Sequence, residues 1–293
     1  MTDTVERRIR TLSCWDAPTD IVPLEGGITN INAVVTDGGR KYVVRLGQDI
    51  PEHGVMRWNE LSIARAAAAA GVSPPVVHAE PGALVFDFVE GDALAEADLH
   101  DATTLAAATD LVAKVHREVT PILRGPVLTF WVFHVCRDYA AFLYDKSSSY
   151  MSKLTYLLEQ AALLEQGVGP VRLVLGHNDL LPQNMIRGAD RLWLVDWEYG
   201  GFNSPLFDLG GLASNADLPA EAEQEMLVRY FGEAPDAAFL KRYAAMKCGS
   251  LLRETMWSMV SEITSEIDFD YAAYTTENMA RFETALAAWK DMP

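Results

Sequence analysis

The chain has 293 residues, of which 49% are hydrophobic and 22% are charged, and it carries a formal net charge of −17 at pH 7. The length allows two lobes with cores of their own, and no apolar run approaches the ~20 residues that cross a bilayer. The negative charge argues against nucleic acid as a partner, because the phosphate backbone is also negative. Residues 1–10 are polar and charged and do not resemble a signal peptide.

The three cysteines, Cys14, Cys136 and Cys248, lie far apart in the sequence. Their spacing suggests neither a metal-binding pair nor a disulfide framework, so a reducing compartment is the simplest interpretation. We therefore expect a cytoplasmic protein without membrane insertion. The sequence leaves the oligomeric state open, and a homodimer is compatible with it.

The first 90 residues are predicted to form a small lobe built mainly of strands. A short amphipathic helix is predicted over 4–15, and an alanine-rich helix over 58–70 ends at Gly71, a favourable left-handed cap. Turn signals at 37–39 and 81–82 separate segments with the patterning of strands. These strands are predicted at 21–24, 31–36, 41–46, 76–79 and 83–89.

The remaining residues, 91–293, are predicted to form a larger and mainly helical lobe. Two apolar strands, 171–175 and 192–195, interrupt the helices and flank a polar loop. This lobe carries most of the negative charge, net −13 against −4 for residues 1–90, which would attract a cationic partner or simply aid solubility. Helices are predicted at 101–119, 130–144, 151–166, 220–231, 237–262 and 278–290.

The polar loop between the two strands carries the residues of a phosphate-transfer site. It reads H-N-D-L-L-P-Q-N over 177–184, and Asp196 ends the following strand. Kinases use this spacing to place one base and two metal ligands around a phosphate. Asp179 would accept the proton of a substrate hydroxyl, and Asn184 and Asp196 would bind Mg²⁺. A hairpin with Asp and Asn as turn formers is the alternative, but it leaves the histidine and Asp196 unexplained.

The amino-acid sequence of this loop, together with V-D-W-E-Y over 195–199, resembles the motifs of the aminoglycoside phosphotransferase and choline kinase superfamily. Within that superfamily, it resembles the bacterial choline/ethanolamine kinase family. Protein kinases differ, since they have an arginine between the histidine and the aspartate and a later D-F-G. The resemblance covers essentially the whole chain. It implies an α+β, protein-kinase-like fold with a nucleotide-binding lobe over 1–90 and a catalytic and acceptor-binding lobe over 91–293. The implied activity is transfer of the γ-phosphate of ATP, with Mg²⁺, to the hydroxyl of choline or ethanolamine.

The segment G-G-I-T-N over 26–30 resembles the nucleotide loop of this family, which lies between the first two strands. The resemblance implies that Gly27, Ile28, Thr29 and Asn30 approach the phosphates of ATP. Glycines in such a loop let backbone N–H groups come close to phosphate oxygens. A plain hairpin is the alternative for a Gly-Gly turn between two strands.

A kinase needs a cation beside the phosphates, and a glutamate on the next helix orients it. The family often has arginine in this strand, so the resemblance assigns the role to Arg45, with Lys41 at the turn as the alternative. Glu60 would hold Arg45, although an acid at the start of a helix is also favourable by itself. The resemblance places the hinge near Phe88 and Val89, whose backbone groups would bind adenine.

Three further residues are implied to be architectural. In the family, the histidine at the position of His177 supports the catalytic loop by hydrogen bonding. Asp208 resembles a later aspartate that ties down the same loop, and a simple helix N-cap is the alternative. Gly91, where the last strand of the first lobe breaks, is the predicted junction between the lobes.

The resemblance also implies an acceptor site for a small cationic alcohol. A trimethylammonium group donates no hydrogen bond and is held by aromatic faces and negative charge. Aromatic residues at helical spacing are more often part of a core, which is the alternative for each of the aromatic candidates. The candidate acceptor-binding residues are Glu198, Tyr199, Glu254, Trp257, Tyr271 and Tyr274.

Two departures from the family pattern leave the acceptor open. Glu254 stands where a second tryptophan is common, one turn before Trp257, and Asn215 stands near the position of a common acid. Glu254 could supply the charge, or the acceptor could differ. An aminoglycoside, thiamine or a sugar remains an alternative acceptor. A nucleotide-binding pseudokinase that acts as an interaction module is an alternative of another class, and the intact catalytic residues argue against it.

Overall fold

The computed structural model describes residues 2–24, 30–265 and 267–293, and these residues form two lobes. The elements of the smaller lobe are α1 (Asp3–Arg10), β1 (Ile21–Leu24), β2 (Ile31–Asp37), β3 (Arg40–Leu46), α2 (Arg57–Ala69), β4 (Val76–Glu80) and β5 (Ala83–Asp87). The five strands form one antiparallel sheet in the order β1-β2-β3-β5-β4. Helix α2 is inserted between β3 and β4, as the sequence predicts.

The sheet of the smaller lobe has an apolar core on one face. Alternate residues of β2, Ala33 and Val35, are buried there, and so is Val44 on the neighbouring strand β3. Ile9 of α1 covers this core from outside. Because side chains alternate along a strand, Arg45 follows Val44 on the opposite face, towards α2.

Helix α2 packs against the larger lobe. Its buried residues Ile63, Ala64 and Ala67 belong to the main apolar core, which is centred on that lobe. Gly71 follows the helix in the left-handed conformation, with φ of 69°, as expected for a cap. The helix therefore carries Glu60, near its start, to the junction between the sheet and the larger lobe.

The larger lobe is mainly helical. Its helices are α3 (Ala102–Lys114), α4 (Val132–Asp145), α5 (Met151–Val168), α6 (Pro205–Asn215), α7 (Ala220–Phe231), α8 (Ala237–Thr264) and α9 (Tyr271–Lys290). A π-helical turn, Val115–Val119, extends α3. Helix α8 is central, since it packs against α4, α5, α6 and α9. Within the described ranges, no helix has the length and apolar character needed to cross a membrane.

Two small antiparallel sheets hold the loops near the junction of the lobes. One contains β6 (Asp92–Ala93), β8 (Met185–Arg187) and β9 (Leu192–Leu194), and the other contains β7 (Val174–Gly176) and β10 (Gly201–Asn203). A Cβ atom on Gly91 would lie 2.2 Å from the carbonyl oxygen of Arg187, so glycine lets β6 pair closely with β8. The lobe boundary between residues 90 and 91 stays a prediction.

Two helices differ from their predictions for a clear reason. The last helix begins at Tyr271 and not at 278, because the side chain of Asp270 caps it by accepting from the N–H of Ala273 (2.9 Å). Helix α6 has no predicted counterpart, since glycine lowers helix propensity. Its Gly210 serves packing instead, because a Cβ there would lie 3.1 Å from the Cα of Lys247 on α8.

Several predicted elements extend past those observed, and in two of them the reason is clear. The first helix ends at Arg10 and not at 15, and the indole of Trp15 folds back to donate to the carbonyl oxygen of Ile9 (2.8 Å). The strand predicted at 171–175 begins only at Val174, where it pairs with Asn203 on β10. In both cases tertiary contacts, which local patterning does not contain, set the end of the element.

Candidate active site

The loop that follows β7 is fixed by hydrogen bonds from its own backbone to a buried carboxylate. Asp208 accepts from the N–H groups of His177 (2.8 Å) and Asn178 (2.7 Å). The ring of His177 is fully buried, which lowers its pKa, and its Nε2 donates to the carbonyl oxygen of Val195 (2.9 Å). These contacts agree with the architectural roles predicted for both residues, and they direct Asp179 towards a cavity.

Asp179 is half-buried at the wall of that cavity. Burial raises the pKa of its carboxyl group to about 8; Arg253 opposes this shift, and Asp196 and Glu254 add to it. An ionised carboxylate oxygen can accept the proton of a hydroxyl, and the cavity leaves this side chain open to a ligand. The position and environment of Asp179 therefore support the predicted role of general base.

Asn184 and Asp196 lie beside one another at one end of the β8–β9 hairpin. The N–H of Val195 donates to the carbonyl oxygen of Asn184 (2.9 Å), which brings the two segments together. The Nδ2 of Asn184 donates to the backbone oxygen of Asp179 (3.0 Å), so the amide oxygen is left for a ligand. Two adjacent oxygen ligands fit Mg²⁺, which otherwise binds water and phosphate oxygens. Within the described ranges, no three His, Cys, Asp or Glu side chains form a metal site by themselves.

Arg45 lies among three carboxylates. Its Nη1 is 3.0 Å from Glu60, and its Nη2 is 2.7 Å from Asp196 and 3.0 Å from Glu198. Burial lowers the pKa of this guanidinium, but the three carboxylates outweigh burial and the net shift is upward. The ion pair expected between Arg45 and Glu60 is thus present, and Arg45 also reaches the candidate metal ligand Asp196.

A second arginine, Arg57, joins this network and was not predicted from the sequence. Its Nη1 lies 2.6 Å from Glu60 and 3.2 Å from Glu198, and its Nη2 donates to Asn30 (2.7 Å). Asn30 in turn donates to Glu198 (2.8 Å). Glu198 is predicted to bind the acceptor, but it contacts Asn30 and Arg45, which are predicted to bind ATP. The spacing of Arg57 three residues before Glu60 on one helix face is the signal that could have revealed it.

The predicted hinge follows β5. The N–H of Phe88 donates to the carbonyl oxygen of Lys41 (3.3 Å), whereas no described residue accepts from the N–H of Val89. The binding of adenine by these backbone groups stays a prediction. Lys41, the alternative phosphate-binding cation, pairs instead with Glu90 at the surface (2.9 Å). The other residues predicted to bind ATP lie outside the described ranges: Gly27, Ile28 and Thr29.

The aromatic residues predicted to bind the acceptor pack on one another. The indole N–H of Trp257 donates to the hydroxyl of Tyr199 (2.9 Å), and the Trp257 ring lies against those of Tyr271 and His53. Trp257 is 4% exposed, and Tyr199 and Tyr271 are each 5% exposed. Among the described residues that line the cavity at Asp179, none of these three is present. The structure brings them together, but as a closed cluster.

The cavity at Asp179 is lined by polar side chains from α6, α8 and α9. Glu254 accepts from the hydroxyl of Tyr274 (2.8 Å) and from the Nη1 of Arg253 (3.0 Å), and it faces the cavity. Arg253 was not predicted from the sequence; its position four residues before Trp257, on the same face of α8, is the signal that could have revealed it. Other polar residues of the lining are Asn215, Ser250, Asn278 and Arg281.

Comparisons with known proteins agree with this geometry. The family model described as choline/ethanolamine kinase matches residues 21–217. The protein LicA of Haemophilus influenzae is 26% identical over 279 residues, which cover 92% of this chain and 79% of that protein. The probable ethanolamine kinase A of Dictyostelium discoideum is 26% identical over 303 residues, which cover 92% of this chain and 85% of that protein. A solved choline/ethanolamine kinase family protein from Mesorhizobium loti has a TM-score of 0.77 and 27% identity, and the match covers 98% of each chain.

The fold and the family predicted from the sequence are both confirmed. A small antiparallel sheet with one inserted helix is followed by a mainly helical lobe, and the same arrangement is found over nearly the whole length of the Mesorhizobium loti structure. The family model extends from β1 past α6, and it therefore includes the catalytic loop and both candidate metal ligands. The chain belongs to the choline/ethanolamine kinase family and is a phosphotransferase that acts on an alcohol.

Proposed function

We propose that the protein is an ATP- and Mg²⁺-dependent kinase of a small cationic alcohol, choline or ethanolamine. The observation that carries this proposal is the meeting of three groups at the junction of the lobes. Asp179 lies on a cavity, Asn184 and Asp196 lie beside it, and Arg45 reaches Asp196 from the sheet. Phosphoryl transfer depends mainly on such positioning and on stabilisation of charge.

Each residue has one role in the proposed reaction. The acceptor hydroxyl lies against Asp179, its oxygen bonds to the γ-phosphorus, and its proton passes to the carboxylate. The bond from the γ-phosphorus to the bridging oxygen breaks, and ADP leaves. Asn184 and Asp196 hold Mg²⁺; when bound, the metal withdraws charge from the phosphate oxygens. Arg45, oriented by Glu60, brings a positive charge to the same phosphates.

The alternatives account less well for the site. An aminoglycoside is a large polycation that needs an open acidic cleft, whereas the lining of the cavity at Asp179 mixes the carboxylates of Asp179, Asp208 and Glu254 with two arginines, Arg253 and Arg281. A pseudokinase would not need a base and two metal ligands together. The relative named as an ethanolamine kinase supports an amino alcohol as the acceptor.

The test is ADP release with MgATP and a panel of acceptors: choline, ethanolamine, thiamine, kanamycin and no acceptor. We expect turnover with choline, ethanolamine or both, at a rate well above that without acceptor. Turnover with kanamycin or thiamine alone would contradict the proposed acceptor class. Asp179→Asn should abolish turnover and leave MgATP binding intact; a fully active variant would contradict the assigned base.

A further inference from the structure

One of the aromatic rings predicted to hold a cationic acceptor, that of Tyr199, already contacts a cation that belongs to the chain. The guanidinium carbon of Arg253 lies 4.4 Å from the ring centre of Tyr199 and 5.6 Å from that of Phe130. Both distances are in the range of cation–π attraction, which increases when the cation is removed from water. Arg253 is only 4% exposed, so its guanidinium, and not solvent, covers this face of the Tyr199 ring.

Trp257 and Tyr271, two further rings of this aromatic cluster, are also covered by the protein. Trp257 is bonded to the hydroxyl of Tyr199, and the ring centres of His53 and Tyr271 lie 5.5 Å and 6.1 Å from that of Trp257. A trimethylammonium group needs open aromatic faces, because it has no N–H group to donate. Among the described residues of the cavity lining, neither Tyr199 nor Trp257 offers such a face to an acceptor at Asp179.

Arg253 also lines the small cavity beside Asp179, the proposed base. Its Nη1 binds Glu254, while its Nε and Nη2 are buried without a hydrogen-bond partner among the described residues. A guanidinium cannot lose its proton in a protein, so Arg253 repels any second cation placed against the same rings. The carboxylate of Glu254 can accept more than the two hydrogen bonds it receives from Arg253 and Tyr274.

We propose that Arg253 determines acceptor specificity by filling the aromatic site with its own guanidinium. The amine of the acceptor must then be bound by hydrogen bonds to Glu254. A primary ammonium, as in ethanolamine, has three N–H groups for this purpose, whereas the trimethylammonium group of choline has none and is larger. This inference rests on the proposed function. Of the two acceptors proposed there, it favours ethanolamine over choline.

The wild-type protein provides the first test. We measure kcat/KM for ethanolamine, N-methylethanolamine, N,N-dimethylethanolamine and choline at saturating MgATP. The expected result is a decrease with each added methyl group, with choline roughly 100-fold below ethanolamine. Equal or better turnover of choline would overturn the role of Arg253 and leave the kinase activity standing. Failure of all four acceptors would contradict the proposed function itself.

Variants of Arg253 provide the second test. Arg253→Ala opens the face of Tyr199 and should shift the ratio of kcat/KM for ethanolamine and choline about tenfold towards choline. Arg253→Lys keeps a cation and should keep most of the wild-type ratio. Arg229→Ala, which removes an exposed arginine paired with Asp110, is the matched control and should keep the ratio unchanged.

An equal loss of both activities in Arg253→Ala, with the affinity for MgATP unchanged, would show a purely structural role and overturn the proposal. Arg253→Met removes the charge but retains most of the volume of the side chain, so it replaces the alanine variant if that variant does not fold. Its expected result has the same direction, a ratio shifted towards choline. A ratio identical to that of the wild type in a folded Arg253→Met would also overturn the proposal.

Discussion

Arg45, on the sheet of the smaller lobe, and Asp196, which follows β9 in the larger lobe, form an ion pair of 2.7 Å. The first residue is the proposed partner of the ATP phosphates, and the second is a proposed ligand of Mg²⁺. Asp196 has φ of 71° and a side chain that is 29% exposed, whereas the side chain of Arg45 is 7% exposed. The buried guanidinium is therefore the fixed member of the pair, and the carboxylate is the member that solvent and a metal can reach.

This relationship predicts a specific effect of removing the arginine. Arg45→Ala should lower kcat/KM for ATP roughly 100-fold, because the phosphates lose a preorganised positive charge. Glu60→Gln, which leaves the guanidinium in place but less firmly oriented, should have a smaller effect in the same direction. Steady-state kinetics with varied MgATP measure both.

The comparison variant is Lys41→Ala, since Lys41 is the alternative phosphate-binding cation predicted on the same strand. Its side chain is half exposed and pairs with Glu90, so turnover should stay close to that of the wild type. A large loss in Lys41→Ala together with normal kinetics in Arg45→Ala would reverse the assignment of the phosphate-binding cation.

The parts of the site that the sequence could predict are those that depend on short spacing. Asp179, Asn184 and Asp196 belong to one loop and the hairpin after it, so their order in the chain is nearly their order in space. The pair of Arg45 and Glu60, on one strand and the next helix, was predicted from the resemblance to the family, and the two side chains do form an ion pair. The order of strands and helices gave the two-lobe fold for a similar reason, because neighbouring elements in this chain mostly pack together.

The parts that could not be predicted depend on how distant elements pack. Arg253 and Tyr199 are 54 positions apart in the chain. They are in contact only because α8 packs against the segment that carries Tyr199. Arg57 and Glu198 meet across the two lobes. Trp257 and Tyr199 were correctly placed near one another, but a sequence pattern cannot show that they bond to each other and close the cluster. Local periodicity contains no information on which face of a ring is covered.

Glu198 should be a main contributor to the stability of the junction between the lobes. It accepts from Arg45, Arg57 and Asn30 and is 3% exposed. Glu198→Gln removes the negative charge between the buried guanidinium of Arg45 and the half-buried one of Arg57, so the free energy of unfolding should fall by about 3 kcal/mol. Urea denaturation measures the change. Glu90→Gln, which breaks an exposed ion pair with Lys41, should leave the stability nearly unchanged.

A loss in Glu198→Gln no larger than that in Glu90→Gln would show that the buried network gains little from its central carboxylate. Such a result is physically plausible for buried ion pairs in general, because desolvation can cancel the attraction between the charges. The two variants together therefore distinguish a network that stabilises the junction from one that only positions Arg45.

His53 should make the stability depend on pH. Burial, followed by the nearby Arg253, lowers its pKa to about 3, and its ring is held between Tyr139 (3.1 Å) and Ser261 (3.2 Å). The unfolded chain, where the pKa is near 6.5, then binds one more proton than the folded protein between pH 6.5 and about 3. This group therefore lowers the free energy of unfolding by about 1.4 kcal/mol for each pH unit below 6.5.

His53→Gln should remove that contribution. Urea denaturation at pH 7, 6 and 5 should show a shallower loss of stability on acidification in the variant than in the wild type, even if the variant is less stable at pH 7. His134→Gln, at an exposed position on α4, is the control and should keep the slope of the wild type. Parallel curves for all three proteins would mean that His53 is protonated in the folded state.

Asp208 should control the rate of the reaction through the position of the loop that carries Asp179. Burial raises the pKa of its carboxyl group, but the hydrogen bond from His116 and further contacts outweigh burial and the net shift is downward, so the group stays ionised. One oxygen accepts from the N–H of His177 and from His116 (2.9 Å), and the other accepts from the N–H of Asn178. Asp208→Asn replaces one of these oxygens with an NH₂ group, which cannot accept, and the loop that carries Asp179 loses an anchor.

We expect Asp208→Asn to lower kcat roughly 100-fold, because a small displacement of Asp179 spoils the alignment of the hydroxyl. KM for MgATP should change little, since the contacts of Arg45 and Asp196 do not involve Asp208. His116→Gln is the matched variant: it alters the same carboxylate but leaves both bonds to the catalytic loop, so its kcat should fall much less. Equal losses of kcat in the two variants would assign the effect to the packing around the π-helical turn. A normal kcat in a folded Asp208→Asn would show that the loop keeps its shape without this anchor.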